Sequence, residues 1–365
     1  MMIIAYITVV MLNLLLAYKN KTKSKFVLLI TGLFFVFVFS GNSSSGDIPN
    51  YLENYRNPEI MIQGNPLSAV FYYAMDVAKG KGLNFFEYKI VISAITYALY
   101  YRFLSKFDVN IHYIIFFYCF HLLLFDVEQI RNALALAVFL QGLIPLLKNE
   151  KNKIKKYTFF TLLASTIHVS FIVYLIFLLY YLTWKKSYRV MFVFLIVLFC
   201  LITFINGNKI PFLNIILNNF DLGGKIKAYF GNRMRLGFLI PFGLHFFTFI
   251  TIWYIKRKTI KYGIENQLIK VVFRLFILSF AFLPLYMLSI TFGRFERNLI
   301  PLVFLAGASM MRQLSPKHIL KWKFFAITLW MVLCWCSYDI FIRANDILIP
   351  IMKYNYFING GIYYY

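Results

Sequence analysis

Apolar runs about 15 to 20 residues long recur along nearly the whole chain, and each is long enough to cross roughly 30 Å of hydrocarbon as a helix. Residues 26–40, "FVLLITGLFFVFVFS", and 190–206, "VMFVFLIVLFCLITFIN", are two of them. Lipid offers the backbone no hydrogen-bond partners, so a chain built from such runs must fold as helices that satisfy their own amides. Composition agrees: 61% of residues are apolar and only 14% charged, which excludes an ordinary soluble domain. The expected fold is all-α, a polytopic integral membrane protein forming one domain over residues 1–365. Residues 3–18 lack a preceding basic region and a following small-residue cleavage site, and are expected to be a retained span. Cys119, Cys200, Cys334 and Cys336 all fall inside apolar runs, which argues against a disulfide framework or a zinc site.

A net charge of +24 raises the question of nucleic acid, but no groove-reading or stacking module accompanies it. The basic residues instead cluster between spans, at 19–25, 102–106, 148–156, 185–189, 256–270 and 312–323. Such loops belong on the cytoplasmic side. Putting all six there sets the parity of crossings. Spans are expected near 3–18, 26–40, 88–104, 111–125, 130–147, 190–206, 236–255, 270–291, 298–312 and 324–342. The remaining segment, 157–183, would invert every later loop if it crossed once. Broken at "STIH", residues 165–168, into a short hairpin, it restores the pattern, giving about 11 to 12 membrane segments with both termini outside.

The polar residues then sort by side. Asp47 and Arg56, Glu128, Gln129 and Arg131, His168 at the hairpin tip, Arg233 and Arg235, Arg294 and Arg297, and Arg343 fall at external ends or in the external loops 40–87 and 206–235. The cytoplasmic clusters are mostly lysine. Arginine presents a planar fork of donors suited to phosphate oxygens, so external arginines point to an anionic ligand. Plainer roles stand beside this one. Arg56, Arg233 and Arg343 can snorkel to headgroups. Asp47 can be the N-cap of a helix with Pro49 in its first turn. His168, His112 and His121 can be hydrogen-bonded core residues. In "FDVEQIRNALALAVFLQGLIPLL" Glu128 lies one turn from Arg131, with Gln129 and Asn132 flanking it, as the rim of a polar cavity would require. Arg294 and Arg297 lie one turn apart with Glu296 between them. In "GNSSSGDIPNYLENYRNPE" Asp47, Tyr51 and Tyr55 recur at a spacing that lines one side of a helix.

These segments resemble the EpsG/Wzy-type polysaccharide polymerases. "EQIRNALALAVFL" is similar to the family's Q-x-R-x-x-x-A segment. "GDIPNYLENY" is similar to its Gly-x-Asp-x-x-x-Tyr loop with one residue deleted, and "STIHVSFIVYL" and "GRFERNLIPLVFL" follow in order. The resemblance spans roughly residues 30 to 310. It implies a multi-pass protein of the bacterial inner membrane, with a fold similar to inverted-type membrane glycosyltransferases. Its activity would be metal-independent transfer of a glycan from undecaprenyl diphosphate to a lipid-linked repeat unit at the outer face, with no cofactor. A flippase and a chain-length regulator are the associated partners.

In this chemistry the leaving diphosphate gathers charge, which fixed guanidinium groups stabilise. That role falls to Arg131, Arg294 and Arg297. The acceptor hydroxyl must lose a proton, for which His168 and Asp47 are the candidates, with Glu128 orienting Arg131. Tyr51 and Tyr55 are expected to pack against sugar faces, and Arg56, Arg233 and Arg235 to support the site. No paired aspartate motif for a divalent metal appears. A ligase using the same donor shares these arginines. A flippase should show inverted repeats and paired broken helices, and an O-acyltransferase a cytoplasmic histidine with catalytic neighbours; neither is evident.

Overall fold

The computed structural model describes residues 2–19, 24–43, 46–64, 66–120, 122–210, 236–314, 321–323, 325–329 and 348–359. Arg233, Arg235, Arg343, His121, His318, Asp339, Cys334 and Cys336 lie outside the described residues. The fold is all-α, as expected; the one β-type contact among the described residues is an isolated antiparallel bridge between Asn42 and Asn355. Four helices or continuous helical runs, Ile130–Leu147, Lys186–Ile205, Leu239–Lys261 and Gln267–Leu288, are long and apolar enough to cross a membrane. A fifth span results if Ile111–Cys119 and Leu122–Glu128, which meet at 63°, are taken together. Two further apolar helices, Met2–Tyr18 and Lys25–Gly41, are one residue shorter than the shortest of the four.

The chain groups into two compact units, residues 1–173 with 307–365, and residues 174–306. The first contains α1 (Met2–Tyr18), α2 (Lys25–Gly41), α3 (Ile48–Arg56), α4 (Pro58–Gly64), α5 (Val70–Gly80), α6 (Phe85–Ser105), α7 (Ile111–Phe120), α8 (Leu122–Glu128), α9 (Ile130–Leu147) and α10 (Lys153–Ile167). A 3-10 helix, Val169–Trp184, leads into the second unit, which holds α11 (Lys186–Ile205), α12 (Leu239–Lys261), α13 (Gln267–Ser279), α14 (Leu283–Leu288) and α15 (Arg294–Arg297). The helix α16 (Ile300–Gln313) returns the chain to the first unit, where α17 (Leu348–Lys353) also lies.

Local chemistry explains several boundaries. Asn84 starts α6 with a reciprocal cap: its Oδ1 accepts from Phe86 and Glu87 amides at 2.9 and 3.0 Å, and Glu87 accepts from the Asn84 amide at 2.7 Å. Between α9 and α10, Asn149 and Asn152 adopt left-handed backbone (φ 57° and 60°), which asparagine tolerates better than bulkier side chains, so the chain reverses within a few residues. The two helices then pack antiparallel. Gly142 permits the approach, since a Cβ there would stand 3.0 Å from the Phe160 Cβ and 3.3 Å from the Tyr157 carbonyl.

Almost every residue of α9 is buried, whereas α11 leaves most of its apolar surface exposed. The first is a central helix and the second has the outline of a lipid-facing one. At Gln129 (φ −105°, ψ 59°) the backbone leaves helical geometry, so α8 and α9 are separate helices. The break expected within 165–168 occurs at His168, whose backbone is extended (φ −142°, ψ 110°). Phe139 of α9 meets Tyr157 before the break and Phe171 after it, with ring centroids 6.0 and 5.7 Å away. A chain that doubles back at His168 makes both contacts.

Candidate active site

In the first unit the site grows from the break at Gln129. That break turns Arg131 toward α5, where its guanidinium donates to the Tyr72 hydroxyl and lies over the Tyr72 ring, 5.4 Å from the centroid. Arg131 is half-buried, and no carboxylate among the described residues lies within ion-pair reach of it. Tyr51 of α3 completes the cluster, edge-on to Phe71 at 6.0 Å and hydrogen-bonded to the Arg131 backbone. Burial pushes the Tyr51 phenol well up, Arg131 pulls it down, and the nearby Asp47 carboxylate adds to the rise. Burial likewise raises Tyr72, against the lowering pull of Arg131. Both phenols therefore stay protonated as donors.

Asp47 occupies the N-cap position of α3 with Pro49 in the first turn, as its spacing suggested, yet its side chain makes no capping hydrogen bond. The carboxylate is exposed instead. Glu128 does not orient Arg131, contrary to the expectation from their one-turn spacing. The break between them removes the helical register that would bring the two side chains together, and the buried Glu128 carboxylate lies against Gly46. Gly46 has φ 42°, and any Cβ there would collide with the Glu128 side chain. The glycine directly before Asp47 thus answers a carboxylate from α8. The other entrance carboxylate, Asp126, accepts from the Tyr118 and Tyr100 hydroxyls at 2.7 and 3.1 Å and is structural. Asn132 is buried in α9, and Gln129 sits half-buried at the break.

Two expectations for α3 are corrected. Tyr55 does not present its ring for a sugar: it is buried against Phe85 and Tyr88, and its hydroxyl donates to the Leu83 carbonyl at 2.7 Å. Arg56 pairs with Glu53 at 3.2 Å on the exposed side of the helix, away from the cluster. A helix with residues eight apart on one stripe had suggested a common role, but Tyr51 and Tyr55 meet different neighbours.

His168 sits at the tip of the hairpin. The close approach of Gly142 to Phe160 and Tyr157 packs α9 against α10. The Ser170 amide donates to His168 Nδ1 at 3.3 Å, and the Ser170 hydroxyl lies 2.7 Å from the same nitrogen. With Nδ1 accepting, a neutral His168 carries its proton on Nε2.

Lys89 was not anticipated, because a lysine at the start of a span ordinarily reaches outward. It is fully buried, lies over the Phe85 and Phe86 rings, and donates to the Asn42 carbonyl at 2.5 Å. The same short stretch receives the C-terminal segment. Tyr356 donates its amide to the Gly41 carbonyl at 2.7 Å and stacks on Phe86 at 3.9 Å, and Ser43 donates to the Tyr354 carbonyl at 3.1 Å. Asn42 reaches the Val127 carbonyl at 3.4 Å, next to Glu128. The aromatic tail thus makes protein contacts through Asn355 and Tyr356, beside the loop that carries Asp47.

The second unit holds the other arginine pair. Arg294 is half-buried and donates from Nε to the Thr291 carbonyl at 2.9 Å; Arg297 is buried. Burial pushes the Glu296 carboxyl between them up to about 8, opposed by the Thr248 hydroxyl and by Arg297. Among the described residues no group of three or more metal-ligating side chains occurs.

The family model described as the EpsG family matches residues 23–356. The chain belongs to the EpsG family. That match covers the loop of Asp47, the Arg131 break, His168 and the arginine segment in one collinear span, and EpsG is a Wzy-type polysaccharide polymerase family. No curated protein and no solved structure matches the chain. An EpsG member is accordingly a membrane protein with a polysaccharide polymerase role.

Proposed function

We propose that this EpsG protein extends a surface polysaccharide at the outer face of the bacterial inner membrane, transferring a growing glycan from undecaprenyl diphosphate to a lipid-linked repeat unit without a metal ion. The observation that carries the reading is Arg131: a half-buried guanidinium held by a phenol, with no carboxylate among the described residues in ion-pair reach, so that its charge suits an anionic ligand. As the anomeric C–O bond breaks, the diphosphate gains negative charge, and a fixed guanidinium stabilises that state more than the bound donor. Arg294 and Arg297 carry the same chemistry in the second unit.

The acceptor hydroxyl attacks the anomeric carbon and gives its proton to a base. Asp47 is the better-placed of the two candidates, since its carboxylate is exposed and not spent on capping α3. His168 carries its proton on Nε2 in the neutral form, so it acts as a hydrogen-bond donor to the leaving diphosphate. Tyr51 offers a protonated phenol to the same ligand.

The test is purified protein in lipid with an undecaprenyl-diphosphate-linked repeat unit and chelator present, the products resolved as a ladder for wild type and Arg131→Ala. A ladder from wild type that disappears in the variant is the expected result. Movement of the substrate across the bilayer with no ladder would make the arginines a docking site of a transporter and sink the reading.

A further inference from the structure

A continuous polar chain runs through the apolar interior of the second unit and ends on the arginine segment. Ser279 of α13 donates its hydroxyl proton to the Phe276 carbonyl at 2.8 Å, which leaves its oxygen free to accept. The neighbouring His245 Nε2, 3.0 Å away, supplies a proton to that oxygen. His245 Nδ1 is then a bare acceptor, and the Tyr286 hydroxyl donates to it at 2.9 Å. Tyr286 is in turn hydrogen-bonded to the backbone of Glu296. With Ser279 donating to Phe276, a neutral His245 carries its proton on Nε2.

The far end of this chain is a helix too short to hold its own shape. α15 has four residues, and one helical turn is unstable without outside support. Two buried phenols grip it at consecutive residues. Tyr174 donates to the Phe295 carbonyl at 2.9 Å, and Tyr286 meets the Glu296 backbone. Arg294 and Arg297 flank that grip on either side. The buried His245 desolvates a polar ring, which an alkyl side chain filling the same space would avoid.

We infer that His245 is a positioning residue of the transfer reaction: acting through Tyr286, it fixes the backbone of α15 and so aims Arg294 and Arg297 at an anionic diphosphate. The inference rests on the reading of those arginines given above. His245 itself touches no ligand.

The experiment measures binding of undecaprenyl diphosphate to the full-length protein in nanodiscs, together with the ladder assay, for Arg297→Ala, His245→Ala, His245→Asn, Tyr286→Phe and the double variant His245→Ala/Arg297→Ala. His245→Ala and Tyr286→Phe should each weaken binding about tenfold, the scale of one lost buried hydrogen bond. His245→Asn, whose amide oxygen can accept from Tyr286, should restore most of it. The double variant should lose less than the product of the two single losses, because both changes act in part on Arg297.

Wild-type binding by both His245→Ala and Tyr286→Phe, with Arg297→Ala weakened, would overturn the positioning role and leave the diphosphate reading standing. Wild-type binding by Arg297→Ala would overturn the diphosphate reading of this segment. Losses that simply multiply in the double variant would mean that His245 supports the fold alone, and would also overturn the proposal. Should His245→Ala fail to fold, Tyr286→Phe, which keeps the ring and loses the hydroxyl, decides the matter.

Discussion

Tyr72 and Arg131 show how one hydroxyl can govern a site. Tyr72→Phe keeps the ring beneath the guanidinium and removes the oxygen that holds it, so polymer synthesis should fall roughly tenfold or more while protein level stays normal. Arg131→Ala should cost more, because charge and position go together. Gly46 is the other single-residue lever. Gly46→Ala combines a backbone conformation that side chains rarely adopt with a collision against Glu128, and should lower thermal stability by a few degrees and activity with it. Glu296 allows a pH prediction. Burial raises its carboxyl from the ordinary carboxylate range to about 8, so the folded protein holds a proton there that the unfolded chain releases. The stabilisation is complete below the unfolded value and is lost as pH rises toward 8. Glu296→Gln should therefore flatten that part of the stability profile, read as melting temperature against pH; an unchanged slope would show that Glu296 is not the titrating group. The motif residues Asp47, Arg131 and His168 were legible in the sequence, since an arginine entering an apolar helix is conspicuous. Tyr72, Lys89 and His245 were not, because a tyrosine, lysine or histidine on an apolar stretch looks the same whether it packs, snorkels or holds a neighbour.

At the scale of elements, the C-terminal segment is the least foreseeable piece. Through Asn355 and Tyr356 it braces the end of α2 and covers the ring against which Lys89 lies. Deleting residues 354–365 should lower the melting temperature and make Lys89 reactive toward amine reagents, measured by mass spectrometry of labelled peptides. Protection of Lys89 in the truncated protein would show that the segment is not its cover. The reversal of α9 into α10 and the break at His168 were legible: a basic turn with two asparagines marks the first, and the parity of lysine loops demanded the second. The break at Gln129 falls between the spans expected at 111–125 and 130–147; what was not legible is that it separates Glu128 from Arg131, whose one-turn spacing reads as continuous helix. Local propensity is silent about a kink that packing and buried hydrogen bonds impose.

For the whole molecule, the expected placement of lysine loops in the cytoplasm and arginine-bearing ends outside is testable. A cysteine placed by Lys151→Cys should react with an impermeant thiol reagent only after the membrane is opened, and one placed by Glu59→Cys should react in intact cells. The reverse pattern would put the Arg131 cluster in the cytoplasm and remove the outer-face reaction. The amino-acid sequence by itself determined that the chain is a helical membrane protein and which family it resembles, because lipid imposes length and composition on every span and a motif is local in the chain. Only the tertiary structure decided that Tyr72 holds Arg131, that Glu128 answers Gly46, and that His245 braces the arginine segment through Tyr286. Those pairings join residues far apart in sequence, and nothing in the local spacing of either partner encodes the other.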